Sequence, residues 1–201
     1  MKNSFILVFI FFVGVMGGLF SILPEFVIHL EIEIYMLYLL MFFVGIVIGS
    51  DISALWKIIS SINIKIVFVP LSVIVGTLLG VGLISFILPE LALKESLVVG
   101  AGFGYYSLSS IIISQTSGER LGTIALLSNV LREVITLLTI PLLVKHFGKL
   151  APIAAGGATS MDTTLPLIAK FVGREYATIS IFSGMVLTIL VPFLVTFLAR
   201  F

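Results

Sequence analysis

Apolar residues come here in long unbroken runs, not in the short rhythms of helices and strands that keep one face in water. A helix needs about 20 predominantly apolar residues to cross a hydrocarbon core of ~30 Å. Seven stretches meet that need: residues 4–23, 32–49, 66–88, 96–115, 121–144, 150–171 and 176–199. Short links join them. The pattern therefore predicts an all-α polytopic membrane protein forming a single domain over residues 1–201. Two of the runs are poor continuous helices. Residues 96–115 are interrupted by Gly100, Gly102 and Gly104, and residues 150–171 contain Gly156, Gly157, Asp162 and two prolines. Glycine weakens a helical ladder and proline cannot donate to it, so both runs are expected to be discontinuous. The first run resembles a signal peptide, with Lys2 ahead of it, but it continues unbroken to Leu23, which suits a retained span. Residues 51–65, punctuated by Trp56, Lys57 and Lys65, read either as an interfacial stretch at headgroup level or as an ordinary loop.

Composition agrees with lipid as the solvent. Of 201 residues, 60% are hydrophobic and 10% charged, where a soluble chain carries about 25% charged residues. Mean hydropathy is +1.30. A cytosolic enzyme and a disordered chain are excluded. The net charge of +1 offers no basic field for nucleic acid. Without cysteine there is no disulfide framework, thiolate metal site or cysteine nucleophile. His29 and His146 fall in loops or at helix ends, where solvation or capping suits them better than metal ligation. No metal and no cofactor is expected. Most charges sit at segment ends, where long side chains can snorkel. With the N-terminus inside, the inner face carries Lys2, Lys57, Lys65, Arg120, Lys170 and Arg174. The outer face then carries Lys94, Lys145, Lys149 and Arg200, a balance that favours that orientation.

Glu133 cannot snorkel. It lies 12 residues after Leu121 and 12 before Lys145, about 18 Å from either end at ~1.5 Å per residue. A charge at that depth costs at least ~2.5–3.5 kcal/mol. Its carboxylate must meet a polar cavity, a partner or a proton. Asn129, Glu133 and Thr136 share one helical face with Ser128 and Arg132 beside it, while Leu127, Leu131, Ile135 and Leu138 lie opposite. Mutual neutralisation of Arg132 and Glu133 is the bland alternative. Adjacent helical residues point ~100° apart, which weighs against it.

Asp162 is the second acid away from the ends. It sits among Thr159, Ser160, Thr163 and Thr164, just after Gly156 and Gly157. Unpaired backbone is tolerated at membrane depth only inside protein or beside water, and carriers build midplane sites from such broken helices. The alternative, a glycine surface for close helix contact, does not explain the carboxylate and its hydroxyls. In Gly100-Ala101-Gly102-Phe103-Gly104-Tyr105-Tyr106-Ser107 the alternation of glycine and aromatic residues suits backbone near a ligand, with tyrosine faces that attract an ammonium. Small-residue packing is the competing reading there. Two carboxylates that meet in a low dielectric cannot both stay ionised cheaply, so such a pair can exchange a proton and attract a cation.

Three motifs carry a family resemblance: Gly102-Phe103-Gly104-Tyr105-Tyr106-Ser107-Leu108-Ser109, Leu131-Arg132-Glu133-Val134-Ile135, and Gly157-Ala158-Thr159-Ser160-Met161-Asp162-Thr163-Thr164-Leu165-Pro166. In their order and spacing, and upstream through residues 40–51, the chain resembles the LysO-type lysine exporters. These are integral membrane proteins that move L-lysine and its toxic analogue thialysine out of bacterial and archaeal cells. The resemblance implies that one membrane glutamate and one membrane aspartate are required for export, at Glu133 and Asp162. Longer family members carry an additional N-terminal portion, which in split pairs is a separate small protein. It therefore implies that this chain is the larger half, working with a small N-terminal membrane subunit or as a homodimer. In an inverted-repeat carrier of 5 + 5 helices, the first and sixth spans would be equivalent, broken at residues 14–18 and at Gly156 and Gly157.

The resulting expectation is a secondary transporter, not an enzyme, that exports L-lysine across the cytoplasmic (inner) membrane in exchange for protons. Glu133 and Asp162 form its electronegative site, with Arg132 and Asn129 on the same helix as Glu133. Backbone at Gly156, Gly157 and Thr159 and the hydroxyls of Ser160, Thr163 and Thr164 complete it, with Tyr105 and Ser107 nearby. A cation/proton antiporter could use the same acids. An intramembrane aspartyl protease also pairs two acids, but it needs a second aspartate and a Gly-x-Gly-Asp sequence, which this chain lacks. A purely structural subunit would leave Glu133 at mid-depth without a purpose.

Overall fold

A computed structural model describes residues 66–87 and 90–200, with isolated helical positions between residues 13 and 46. The chain divides into two compact units, Met1–Ile46 and Val47–Phe201, and every element below belongs to the second. The expected spans at 4–23 and 32–49, the stretch at 51–65 and the repeat equivalence at residues 14–18 lie outside the described residues.

All described secondary structure is helical. Helix α1 spans Phe68–Ser85, with Pro70 in its first turn, where a missing N–H costs nothing. It buries only Val69, Pro70 and Val73 and exposes Phe68, Leu71, Val75, Leu79 and Leu83. A helix apolar all round with so little of it covered is suited to lipid. The run at 96–115 resolves into α2, Leu93–Gly100, and α3, Tyr106–Ser117, with a turn between them. The Glu95 carboxylate caps α2 by accepting the Ala92 N–H at 2.9 Å. Helix α4, Glu119–Phe147, has 29 residues. At ~1.5 Å per residue it is about 43 Å long, longer than the hydrocarbon core.

The run at 150–171 is also broken. It forms α5, Ala151–Gly156, then a tighter 3-10 turn, Gly157–Met161, then α6, Leu165–Val172. A short 3-10 turn, Arg174–Tyr176, leads into α7, Ala177–Arg200. Pro141 in α4 and Pro192 in α7 each remove one ladder bond. By length and apolar character, three described helical segments can cross a membrane: Phe68–Ser85, Glu119–Phe147 and Arg174–Arg200.

Two packings position the site. Helix α3 lies against α4, where Gly122 leaves room for Ser110 and Ser114. Helix α7 lays a stripe of Ser180, Ser183, Gly184, Leu187, Thr188 and Val191 against the Gly157–Met161 turn and α3. Phe103, Leu108, Ile113, Ile153, Leu187 and Val191 are fully buried among these elements.

Candidate functional site

The two helix breaks meet each other. The Ala158 N–H donates to the Phe103 carbonyl at 2.9 Å, so backbone from one broken helix satisfies backbone from the other. Approach this close needs glycine at both contacts. A Cβ at Gly104 would stand 2.9 Å from the Gly156 carbonyl oxygen, and one at Gly157 would overlap the Phe103 carbonyl. Gly104 and Gly157 also have φ of +97° and +62°, which L side chains rarely adopt. Phe103, at φ +44°, adopts the left-handed region with its side chain fully buried.

Helix α4 braces this crossing with two side chains about one turn apart. The buried Asn129 accepts the Gly104 N–H on Oδ1 at 2.7 Å and donates from Nδ2 to the Ala125 carbonyl at 2.8 Å. Arg132 donates from Nε to the Ala155 carbonyl at 2.9 Å, from Nη2 to the Ala154 carbonyl at 3.2 Å, and from Nη1 to Thr77 Oγ1 at 3.1 Å. Carbonyls near the end of α5 would otherwise be orphaned, and the guanidinium supplies donors and positive charge there. Arg132 therefore serves the neighbouring half-helix and makes no ion pair with Glu133. The other face of α4 is as the pattern predicts: Leu127, Leu131, Ile135 and Leu138 are exposed, while Asn129 and Thr136 are buried.

Where the start of α3 meets the Gly157–Met161 turn lies a cavity of about 100 Å³. Tyr105, Ser107, Thr159, Asp162 and Thr163 line it, together with Gly104. The exposed Asp162 accepts the Thr163 N–H on Oδ1 at 2.6 Å and its hydroxyl at 3.4 Å. Its Oδ2 makes no hydrogen bond among the described residues. A larger cavity of about 250 Å³ opens between α1, α2 and α4. Its polar wall is Thr77, Ser96, Ser128, Asn129 and Arg132, and Val81, Ile84, Leu91, Val99 and Ile124 form the apolar side.

Five of the residues picked out by sequence thus gather on one cavity: Tyr105, Ser107, Thr159, Asp162 and Thr163. Gly156 and Gly157 shape the crossing, and Asn129 and Arg132 brace it. Ser160 and Thr164 point into packing instead. Ser160 donates to the Gly157 and Ser180 carbonyls at 2.7 and 3.0 Å, Ser180 donates back to the Ser160 carbonyl at 2.7 Å, and Thr164 donates to the Thr159 carbonyl at 3.0 Å. Glu133 is half-buried, lines neither cavity, and has no hydrogen-bond or ion-pair partner among the described residues. The Tyr106 phenol lies within electrostatic reach of both Glu133 and Asp162. Tyr106, part of the glycine–aromatic motif, joins the cavity, and Thr188, Thr77 and Ser180 are participants that the sequence reading did not single out. A stripe of small polar residues at helical spacing in α7 was the available signal for Ser180. Among the described residues, no three acids or histidines gather as a metal site.

A profile of the lysine exporter LysO family matches residues 8–199. The chain is 35% identical to the lysine exporter LysO of Escherichia coli K12 over 83% of its own length and 54% of that protein's. It is 34% identical to a putative lysine exporter of Haemophilus influenzae over 84% of its own length and 85% of that protein's. The chain thus spans about half the length of the E. coli relative. No solved structure matches it. Its long apolar helices fit a membrane protein with several spans, and the chain belongs to the lysine exporter LysO family.

Proposed function

We propose that the chain is a secondary transporter that exports L-lysine and its analogues across the cytoplasmic membrane, exchanging protons at Glu133 and Asp162. One observation carries the reading in this family context: Asp162, with one carboxylate oxygen free of hydrogen bonds among the described residues, lines a cavity at the crossing of two broken helices. Such a site suits the ammonium of a lysine side chain, with the Tyr105 ring and the hydroxyls of Ser107 and Thr163 around it. A volume of about 100 Å³ equals roughly three waters at ~30 Å³ each. It takes the charged head of the substrate, and the rest must lie elsewhere or enter in another conformation. Glu133, held at mid-depth without a partner among the described residues, is the second proton-exchanging group. Its proposed partner is a small membrane subunit or a second copy of the chain.

The test is efflux of labelled lysine from cells carrying this chain, alone and with an N-terminal partner, together with proton movement in vesicles. Lysine-dependent proton flux is the expected result, abolished by Glu133→Gln and by Asp162→Asn. Proton flux driven by inorganic cations but not by lysine would replace export with cation/proton antiport. Undiminished lysine efflux in Glu133→Gln would remove that residue from the mechanism.

A further inference from the structure

We propose that Arg132 recognises the α-carboxylate of the transported amino acid, and that the cavity between α1, α2 and α4 receives that end of the substrate. The inference rests on the export reading above and adds a second pole to it. A guanidinium has five N–H donors. Three are spent on the Ala155 and Ala154 carbonyls and on Thr77, which leaves one on Nη1 and one on Nη2. Every acceptor it has is neutral, and no carboxylate pairs with it among the described residues. A cation held deep in a membrane without a counter-ion is costly, and the carbonyl end of the short α5 offsets only part of that. A substrate carboxylate would complete it with charge-assisted hydrogen bonds.

The cavity wall has the matching chemistry. Beside Arg132 it presents the hydroxyls of Thr77, Ser96 and Ser128 and the amide of Asn129, and no acid. The cavity at Asp162 is its complement, with one acid and no lysine or arginine. Backbone of the crossing comes near both. A Cβ at Gly157 would stand 3.3 Å from Arg132 Nη2, and the next residue, Ala158, already lines the Asp162 cavity. Opposite charges on either side of one crossing match a zwitterion with a cationic tail. The Arg132 cavity, at about 250 Å³, equals roughly eight waters at ~30 Å³ each and has room that the Asp162 cavity lacks.

Lysinamide, which keeps both amines but replaces the carboxylate by a neutral amide, is the probe. Half-saturating concentrations for lysine and lysinamide are measured in everted vesicles, at a pH where both amines are charged. Wild type should prefer lysine by about tenfold or more, because a built hydrogen-bonding site rejects the analogue that leaves it unpaired. Arg132→Gln should weaken lysine by about tenfold more than it weakens lysinamide, so that the ratio falls to near one, while Arg132→Lys should retain part of the preference. Equal weakening of both substrates in Arg132→Gln would reduce Arg132 to a brace for α5 and overturn the proposal. Should that variant fail to accumulate, wild type decides, since equal half-saturation for the two compounds also overturns it. A wild-type chain that transports neither compound, with or without its partner, would instead bring down the export reading.

Discussion

Replacing Gly157 by alanine tests the crossing with a single methyl group. Gly157 has φ +62° and ψ −125°, a region open almost only to glycine, where another residue costs about 1–3 kcal/mol. Its new Cβ would also overlap the Phe103 carbonyl. Relief requires the two breaks to part, which stretches the 2.9 Å bond from Ala158 N–H to Phe103 O. Losing that buried bond adds about 1–3 kcal/mol. Gly148 is the internal control, because it has φ +87° and nothing within 4 Å of an added Cβ. Gly148→Ala should carry the conformational cost alone. The difference between the variants, about 2 kcal/mol, should lower the melting temperature of Gly157→Ala by roughly 4–8 °C beyond Gly148→Ala. Loss of helical circular dichroism on heating in detergent measures it, and lysine efflux should fall only in Gly157→Ala. Matching melting temperatures and matching efflux for the two alanines would refute the claim that these backbones need each other this close.

Three further outcomes follow from the same contacts. Asn129→Ala removes the acceptor of the buried Gly104 N–H and should destabilise the fold by about 1–3 kcal/mol in chemical unfolding. Ser160→Ala and Ser180→Ala each remove one bond of a reciprocal pair. Each hydroxyl donates to the other residue's backbone carbonyl, so each variant should lose about 0.5–1.5 kcal/mol in chemical unfolding, and unchanged stability in both would deny the pairing. Glu175→Gln breaks only the exposed Lys149–Glu175 contact at 3.9 Å, so unfolding should change by less than about 0.5 kcal/mol and efflux should not change.

Element existence was legible because apolar run length is a local property. The runs at 66–88, 121–144 and 176–199 correspond to α1, α4 and α7, and the glycine-interrupted runs are the ones that break. Glycines in the first break have different tasks. Gly100 meets the Val81 side chain and Gly102 meets Asn129 and Ser109, which is packing, while Gly104 meets the backbone of the other break. Small-residue packing thus accounts for Gly100 and Gly102, and Gly104 lets the two backbones meet beside the Asp162 cavity. What each polar side chain bonds to was not legible. Arg132 reaches carbonyls 22 and 23 residues away and a hydroxyl 55 residues away, and no spacing rule on one helix selects such partners. Ser160 was read into the site because it stands beside Asp162. Its hydroxyl turns to Ser180, 20 residues on, because α7 covers that side of the turn.

Arg132, Glu133 and Asp162 are the charges that the sequence places away from segment ends, and their surroundings differ in kind. Arg132 is bound to neutral oxygens, Glu133 pairs with no described residue, and Asp162 keeps one oxygen free beside a cavity. None of the three neutralises another here. A structural subunit would gain by pairing them, since each isolated charge at depth costs free energy that a partner would offset. In the function proposed above, the partner that each lacks among the described residues is the cargo or a proton. The brace then acquires a mechanical meaning. Asn129 holds the first break and Arg132 the second, both from α4. Any shift of α4 along or about its axis would therefore load both breaks together.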